Sequence, residues 1–193
     1  MTQIFGDFIQ NLPESPEYLI LGFSPSSVPL QQRWRNNGLS ADFLADYFTT
    51  FFPVDENNPD TQRHQAEVKN AVSYVANELL ENAMKFNDDR NDSPISIALH
   101  LSADKLIFLL TNRVSLEQSQ DFQNYIQELL NADPQEMLLV QLEKNALEET
   151  STSRLGYLTM LNDYQAKLGW KFEPPVDSTL PVTIVTTMVQ LTL

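Results

Sequence analysis

Apolar residues recur along this chain with two periods, one near 3.6 residues and one of two, and the switches between them predict its elements. From Val68 to Phe86 (VKNAVSYVANELLENAMKF), Val68, Val72, Val75, Leu79, Ala83 and Phe86 fall at three- and four-residue steps. At about 100° per residue they share one side of a helix. Glu78, Asn82 and Lys85 form a second row about a quarter turn away, so that a carboxylate, an amide and an amine flank the buried face. Ile95 to Leu101 alternates strictly, which predicts a half-buried strand, and Leu106 to Leu110 is an apolar run that completes a hairpin. Tyr18 to Phe23 (YLILGF) reads as a buried strand, closed by Ser24-Pro25-Ser26-Ser27.

Turn and cap chemistry sets the remaining boundaries. Ser115-Leu-Glu-Gln118 is a capping-box pattern before Phe122, Ile126 and Leu129, and Asp133-Pro134-Gln-Glu136 opens a second helix with proline at its first position. Asn37-Gly38 predicts a turn or helix stop, after which Ser40 caps an apolar helix over Phe43 to Phe52. Residues 1 to 17 predict a small helix and a turn ended by Pro13 and Pro16. Asp55 to Asp60 and Asn87 to Asp92 are polar connections that fail the calcium-loop spacing, since Pro59 and Asp92 stand where that loop needs a ligand and a glycine. Gly169 to Phe172 and the β-branched Val182 to Leu191 supply the last two strands.

Composition narrows the classes. With 193 residues, 42% hydrophobic, the chain has enough for one domain and an extension. A net charge of −14 repels phosphate backbones and anionic lipid, which argues against nucleic acid or a membrane surface as partner. There is no cysteine, no membrane-length apolar run and no basic leader, so a cytoplasmic protein is expected. His64 and His100 are the only imidazoles, and no nucleophile elbow is present, so a hydrolase of the histidine or zinc type finds no support. Arg33-Trp34-Arg35 sets two cations around an indole in an acidic chain, and reads either as a surface turn pinned by a buried tryptophan or as a docking point.

Glu78-Leu-Leu-Glu-Asn82-Ala-Met-Lys85-Phe86 resembles the N-box of the GHKL (Bergerat-fold, histidine-kinase-like) ATPases, the superfamily of gyrase-type topoisomerases, sensor histidine kinases and anti-sigma serine kinases. The resemblance covers residues 61 to 193. It implies an α+β fold, a two-layer sandwich of mixed sheet with helices on one face, to which residues 1 to 60 add a strand and helix extension packed on or beside the core. It further implies Glu78 as general base, Asn82 as the ligand of Mg²⁺ bound with ATP, and Lys85 approaching the phosphates. Asn112 stands where the family's G1 box has the Asp that accepts the adenine amino group, and no glycine follows. Arg154-Leu-Gly156-Tyr157 resembles a worn G2 box, with Gly156 matching its second glycine, Arg154 replacing the first, and Ser153 in the hydroxyl-rich stretch before it able to serve phosphate or cap the helix.

Two functions follow as expectations. One is an intracellular signalling regulator of the partner-switching kind, which binds a protein partner, pairs two subunits through the N-terminal extension, and retains only weak or lost ATP binding. The other is an active Mg-ATP-dependent serine/threonine kinase of the anti-sigma type. The capped helices predicted at 115 to 142, in the region where an active member carries a mobile glycine-rich lid, favour the first.

Overall fold

A computed structural model describes residues 1–12, 17–24, 30–88, 94–102, 104–147, 154–175 and 181–193. In chain order its elements are β1 (Gln3–Gly6), β2 (Glu17–Phe23), α1 (Leu30–Thr49), α2 (Pro59–Phe86), β3 (Ile95–Leu101), β4 (Lys105–Ser115), α3 (Leu116–Asn131), α4 (Pro134–Leu147), α5 (Leu155–Asn162), β5 (Lys167–Glu173) and β6 (Val182–Thr192). The strands form one six-stranded sheet in the order β1-β5-β6-β4-β3-β2. Helices layer against it, giving the expected two-layer α+β sandwich.

The sheet is antiparallel throughout rather than mixed. The number of helices between strands explains this. α1 and α2 run antiparallel, as shown by Asp42 against Ser73, Asp46 against Lys69 and Thr49 against Gln65, so the chain returns to the end of the sheet it left and β3 lies antiparallel to β2. Between β4 and β5 there are three helices, which carry the chain to the opposite end. Those two strands therefore point the same way, and β6 fits between them antiparallel to both.

α2 is the spine of the core. It starts at Pro59, earlier than its apolar stripe suggests, because Asn58 caps it by accepting from the Asp60 amide and Pro59 has no amide to satisfy. Val68, Val72, Val75, Leu79 and Ala83 are buried as the stripe predicts, joined by Ala76, Leu80 and Met84, while Phe86 is exposed at the helix end. Both predicted N-terminal signals further on are present. Ser115 and Gln118 exchange capping-box hydrogen bonds, and Asp133 accepts from the amides of Gln135 and Glu136.

The first sixty residues depart furthest from expectation. α1 runs unbroken through Asn37-Gly38, with Asn37 buried, so packing overrides a local stop signal worth about 1 kcal/mol. Arg33, Trp34 and Arg35 accordingly lie on helix, not on a turn, and their side chains fall outside the described residues. β2 is an edge strand with one face open, not a buried one. Instead of a small helix, the N-terminus forms β1, pairing Phe5 with Trp170 and Gly6 with Gly169. The chain then turns at Gly6 (φ 63°) and crosses the sheet as a strap, with the amide of Asp7 donating to Leu168 O at 2.8 Å and Gln190 Nε2 donating to Asp7 O at 2.6 Å. A Cβ on Gly169 would lie 2.5 Å from the Phe8 nitrogen, so only glycine lets the strap sit this close.

Candidate functional site

On the helical side of the sheet a cavity of about 310 Å³ opens between α2, β4, α3 and the start of α5. α2 gives it Glu78, Glu81, Asn82 and Lys85, because the i, i+3, i+4 and i+7 positions of one helix lie along one flank. β4 adds Leu110, Asn112 and Val114, alternate residues that all face the helices. The capping box aims α3 so that Phe122 and Tyr125 form a wall, which Tyr157 of α5 continues. Five of the six site residues expected from sequence, Glu78, Asn82, Lys85, Asn112 and Gly156, thus line one cavity. Ser153 lies outside the described residues.

Glu78 is a carboxylate whose titration is shifted by its surroundings. Burial, and secondarily the nearby Glu81 charge, push its carboxyl above the ordinary glutamate value. A carboxylate so placed takes up a proton more readily, which is the tuning a general base uses. The same carboxylate rests against Gly156, on the spot a Cβ there would fill. Glu81 accepts from Asn77 Nδ2 at 2.9 Å, which holds its own carboxylate along the helix.

The start of α5 keeps glycine-like geometry without the glycine. Arg154 occupies the N-cap position at φ 42°, with no side-chain cap hydrogen bond of its own, and the hydroxyls expected to cap this helix lie outside the described residues. Left-handed backbone at a non-glycine residue costs roughly 1 kcal/mol. Two contacts offset it: the Arg154 guanidinium lies 5.1 Å from the centre of the Tyr125 ring, and the Tyr125 hydroxyl donates to Arg154 O at 3.2 Å. Burial, mainly, pushes the Tyr125 hydroxyl up to about 12, so it stays a hydrogen-bond donor at any physiological pH. Tyr157 is buried as well. Burial raises its pKa, opposed by polar contacts with Thr187, Trp170 and Asn82.

Asn112, only 7% exposed, sits on the cavity floor. β4 does not break after it. The ladder to β6 continues from Asn112 opposite Val185 to Ser115 opposite Val182, so ordinary strand runs where the resemblance would place a glycine turn. Phe122, Tyr125 and Thr187, which sequence reading did not single out, complete the aromatic wall and floor. The i, i+3 aromatic pair behind the capping box was the available signal for the first two. Thr187 carried none.

The residues fit Mg-ATP in part. An aromatic wall beside the amide of Asn112 suits a planar base, since an amide can donate and accept at once. Among the described lining residues Lys85 and Arg154 are the cations, against Glu78, Glu81 and Asp121, and the Glu78 carboxylate already occupies the space beside Gly156. Among the described residues no cluster of three histidine, aspartate or glutamate side chains could hold a metal ion.

The raised Glu78 pKa has a stability consequence. Between its unfolded value, near 4.5, and its higher folded value, the native state holds more protons than the unfolded one, so stability falls as pH rises through that window. Glu78→Gln removes this penalty. We expect the variant to melt above the wild type at pH 7.5, with the gap closing below pH 4.5; a gap independent of pH would mean that Glu78 titrates normally.

Comparison with known proteins gives the fold a relative. No protein-family model and no curated protein matches the chain. Among solved structures, a chain of the SiaB–SiaC complex from Pseudomonas aeruginosa superposes with a TM-score of 0.54 at 14% identity, covering 91% of this chain and 89% of that one. At that identity the likeness is one of fold. No helix of the described residues is long and apolar enough to cross a membrane.

Proposed function

We propose that this chain is a signalling regulator built on a degenerate histidine-kinase-like ATPase domain, acting by binding a protein partner in the cytoplasm, with weak or lost binding of ATP and Mg²⁺. The observation that carries this reading is the half-kept cavity. Its helix row, Asn112 and Gly156 converge as in a nucleotide site, while β4 runs straight past Asn112 and Glu78 fills the space by Gly156. The superposed chain comes from a complex of two proteins and matches over most of both lengths, which supports a role in protein binding.

The alternative, a Mg-ATP-dependent serine/threonine kinase, draws on the raised pKa of Glu78, which suits a general base for a hydroxyl nucleophile. In that reading Asn82 would hold Mg²⁺, Lys85 would approach the phosphates, and bound ATP would supply the transferable phosphoryl group. Within the chain, Glu78 would take the hydroxyl proton and Asn112 would orient the base.

Thermal unfolding with and without nucleotide separates the two. A dissociation constant weaker than 1 mM adds less than about 0.4 kcal/mol at 1 mM Mg-ATP, whereas saturation a hundredfold above it adds about 2.7 kcal/mol. We expect the smaller shift, together with calorimetric binding of a SiaC-type protein that needs no nucleotide. A large Mg²⁺-dependent shift lost in Asn82→Ala, with phosphate transferred to that protein, would establish the kinase instead.

A further inference from the structure

The two edges of the sheet are treated differently. β1, on one side, is four residues long and ends at the left-handed Gly6, which turns the chain away over the sheet. Such an edge is too short and too bent to recruit another strand. β2, on the other side, runs for seven residues, Glu17–Phe23, in unbroken register with β3 from Glu17 opposite Leu101 to Phe23 opposite Ile95. It has no proline, no lysine or arginine and no bulge, the usual devices that keep an edge solitary. Its outward side chains are apolar and open: Tyr18 is 55% exposed and Ile20 57%.

We propose that β2 is the pairing edge of a homodimer, two copies joining antiparallel about a two-fold axis at Ile20 into one continuous twelve-stranded sheet. The segment is self-complementary in that register. On the outer face Ile20 meets Ile20 of the second copy, and each Tyr18 ring covers the bare backbone of Gly22 opposite, a cross-strand pair in which an aromatic shields a glycine. On the inner face Leu19 meets Leu21. A different protein would have to reproduce this pattern, whereas a second copy supplies it by symmetry.

α1 extends the surface. α2 packs on β3 and β4 and has α5 on one flank, so α1, on its other flank, overlies the β2 side. α1 exposes Leu39 (60%) and Phe43 (51%), one helical turn apart, with Phe43 stacked on Tyr47. A seven-residue strand pairing by itself falls short of the roughly 800 Å² per partner that a stable interface buries. Contact between the two copies of α1 supplies the remainder.

Sedimentation velocity tests this, because the 22.0 kDa chain should sediment at twice its mass at 50 µM. The association should tighten with added salt, which screens two copies of charge −14. Ile20→Lys and Ile20→Glu each place like charges face to face at the axis and should each yield monomers with unchanged far-UV circular dichroism, since Ile20 is open in the single chain. Mixing the two variants should restore a dimer through the Lys–Glu pair. A monomeric wild type, a dimer indifferent to either variant, or a mixture that stays monomeric overturns the proposal.

Discussion

Phe48→Ala should cost about 3–5 kcal/mol and lower a single unfolding transition, although the residue lies in the segment that sequence assigns to an extension. Phe48 is fully buried, with its ring 5.3 Å from Tyr47 and 5.9 Å from Phe51, and it belongs to one core cluster with Val72, Leu79 and Ile97. Truncation removes most of a large side chain from a site that helices on one side and the sheet on the other prevent from collapsing, so a cavity remains. For a domain of this length each kcal/mol moves the midpoint by about 2–4 °C, so the total is on the order of 10 °C. Calorimetry and circular dichroism should agree on one transition. If α1 were an appendage, the main transition would stay in place and only part of the helical signal would melt early.

How far the sequence could be read depended on how locally each feature is determined. The row Glu78, Asn82, Lys85 and the stripe beside it follow from helix geometry alone, and both capping signals are closed within four residues, so all were legible. β1 was not, because its four residues become a strand only through pairing with β5, whose Gly169 lies 163 positions after Gly6. Asn37-Gly38 misled for a related reason: the pressure to bury Ala41, Leu44 and Phe48 against the core outweighs a weak local stop. Strand direction likewise rests on the helix count between strands, and the sequence shows that count only once α1 and the three helices after β4 are correctly divided.

The cavity divides in the same way. Its α2 side was visible as spacing, and Asn112 and Gly156 as positions within a resembled order of motifs. The aromatic wall was not, since Phe122, Tyr125, Tyr157 and Thr187 meet only after α3, α5 and β6 dock on the same patch. Nor could spacing show that β4 continues as a strand past Asn112, which is the feature that most separates this cavity from a working G1 box.

Trp170 links that wall to the sheet, and Trp170→Ala should be the most damaging change behind the cavity, at about 3–5 kcal/mol. The indole is fully buried on β5, edge-on to Tyr157 at 5.7 Å and to Phe122 at 6.4 Å. It therefore supports α5 and α3 together at the point where both reach the cavity. Its N–H comes near the Tyr157 hydroxyl yet forms no well-aligned hydrogen bond, so the tryptophan carries the cost of an unsatisfied buried donor, about 1–3 kcal/mol. Trp170→Phe removes that donor while keeping a ring, so the loss of volume and the relief of the donor oppose each other. We expect it to cost no more than about 1.5 kcal/mol, less than half the effect of alanine. The two variants should also differ at the site. With alanine, Tyr157 loses its backing and the amides at the start of α5 should exchange hydrogen faster than those of α2, whereas with phenylalanine their protection should persist. A phenylalanine variant that loses well over about 1.5 kcal/mol would mean that the indole N–H is satisfied in solution, and unchanged exchange at α5 in the alanine variant would mean that the cavity wall is held by α3 alone.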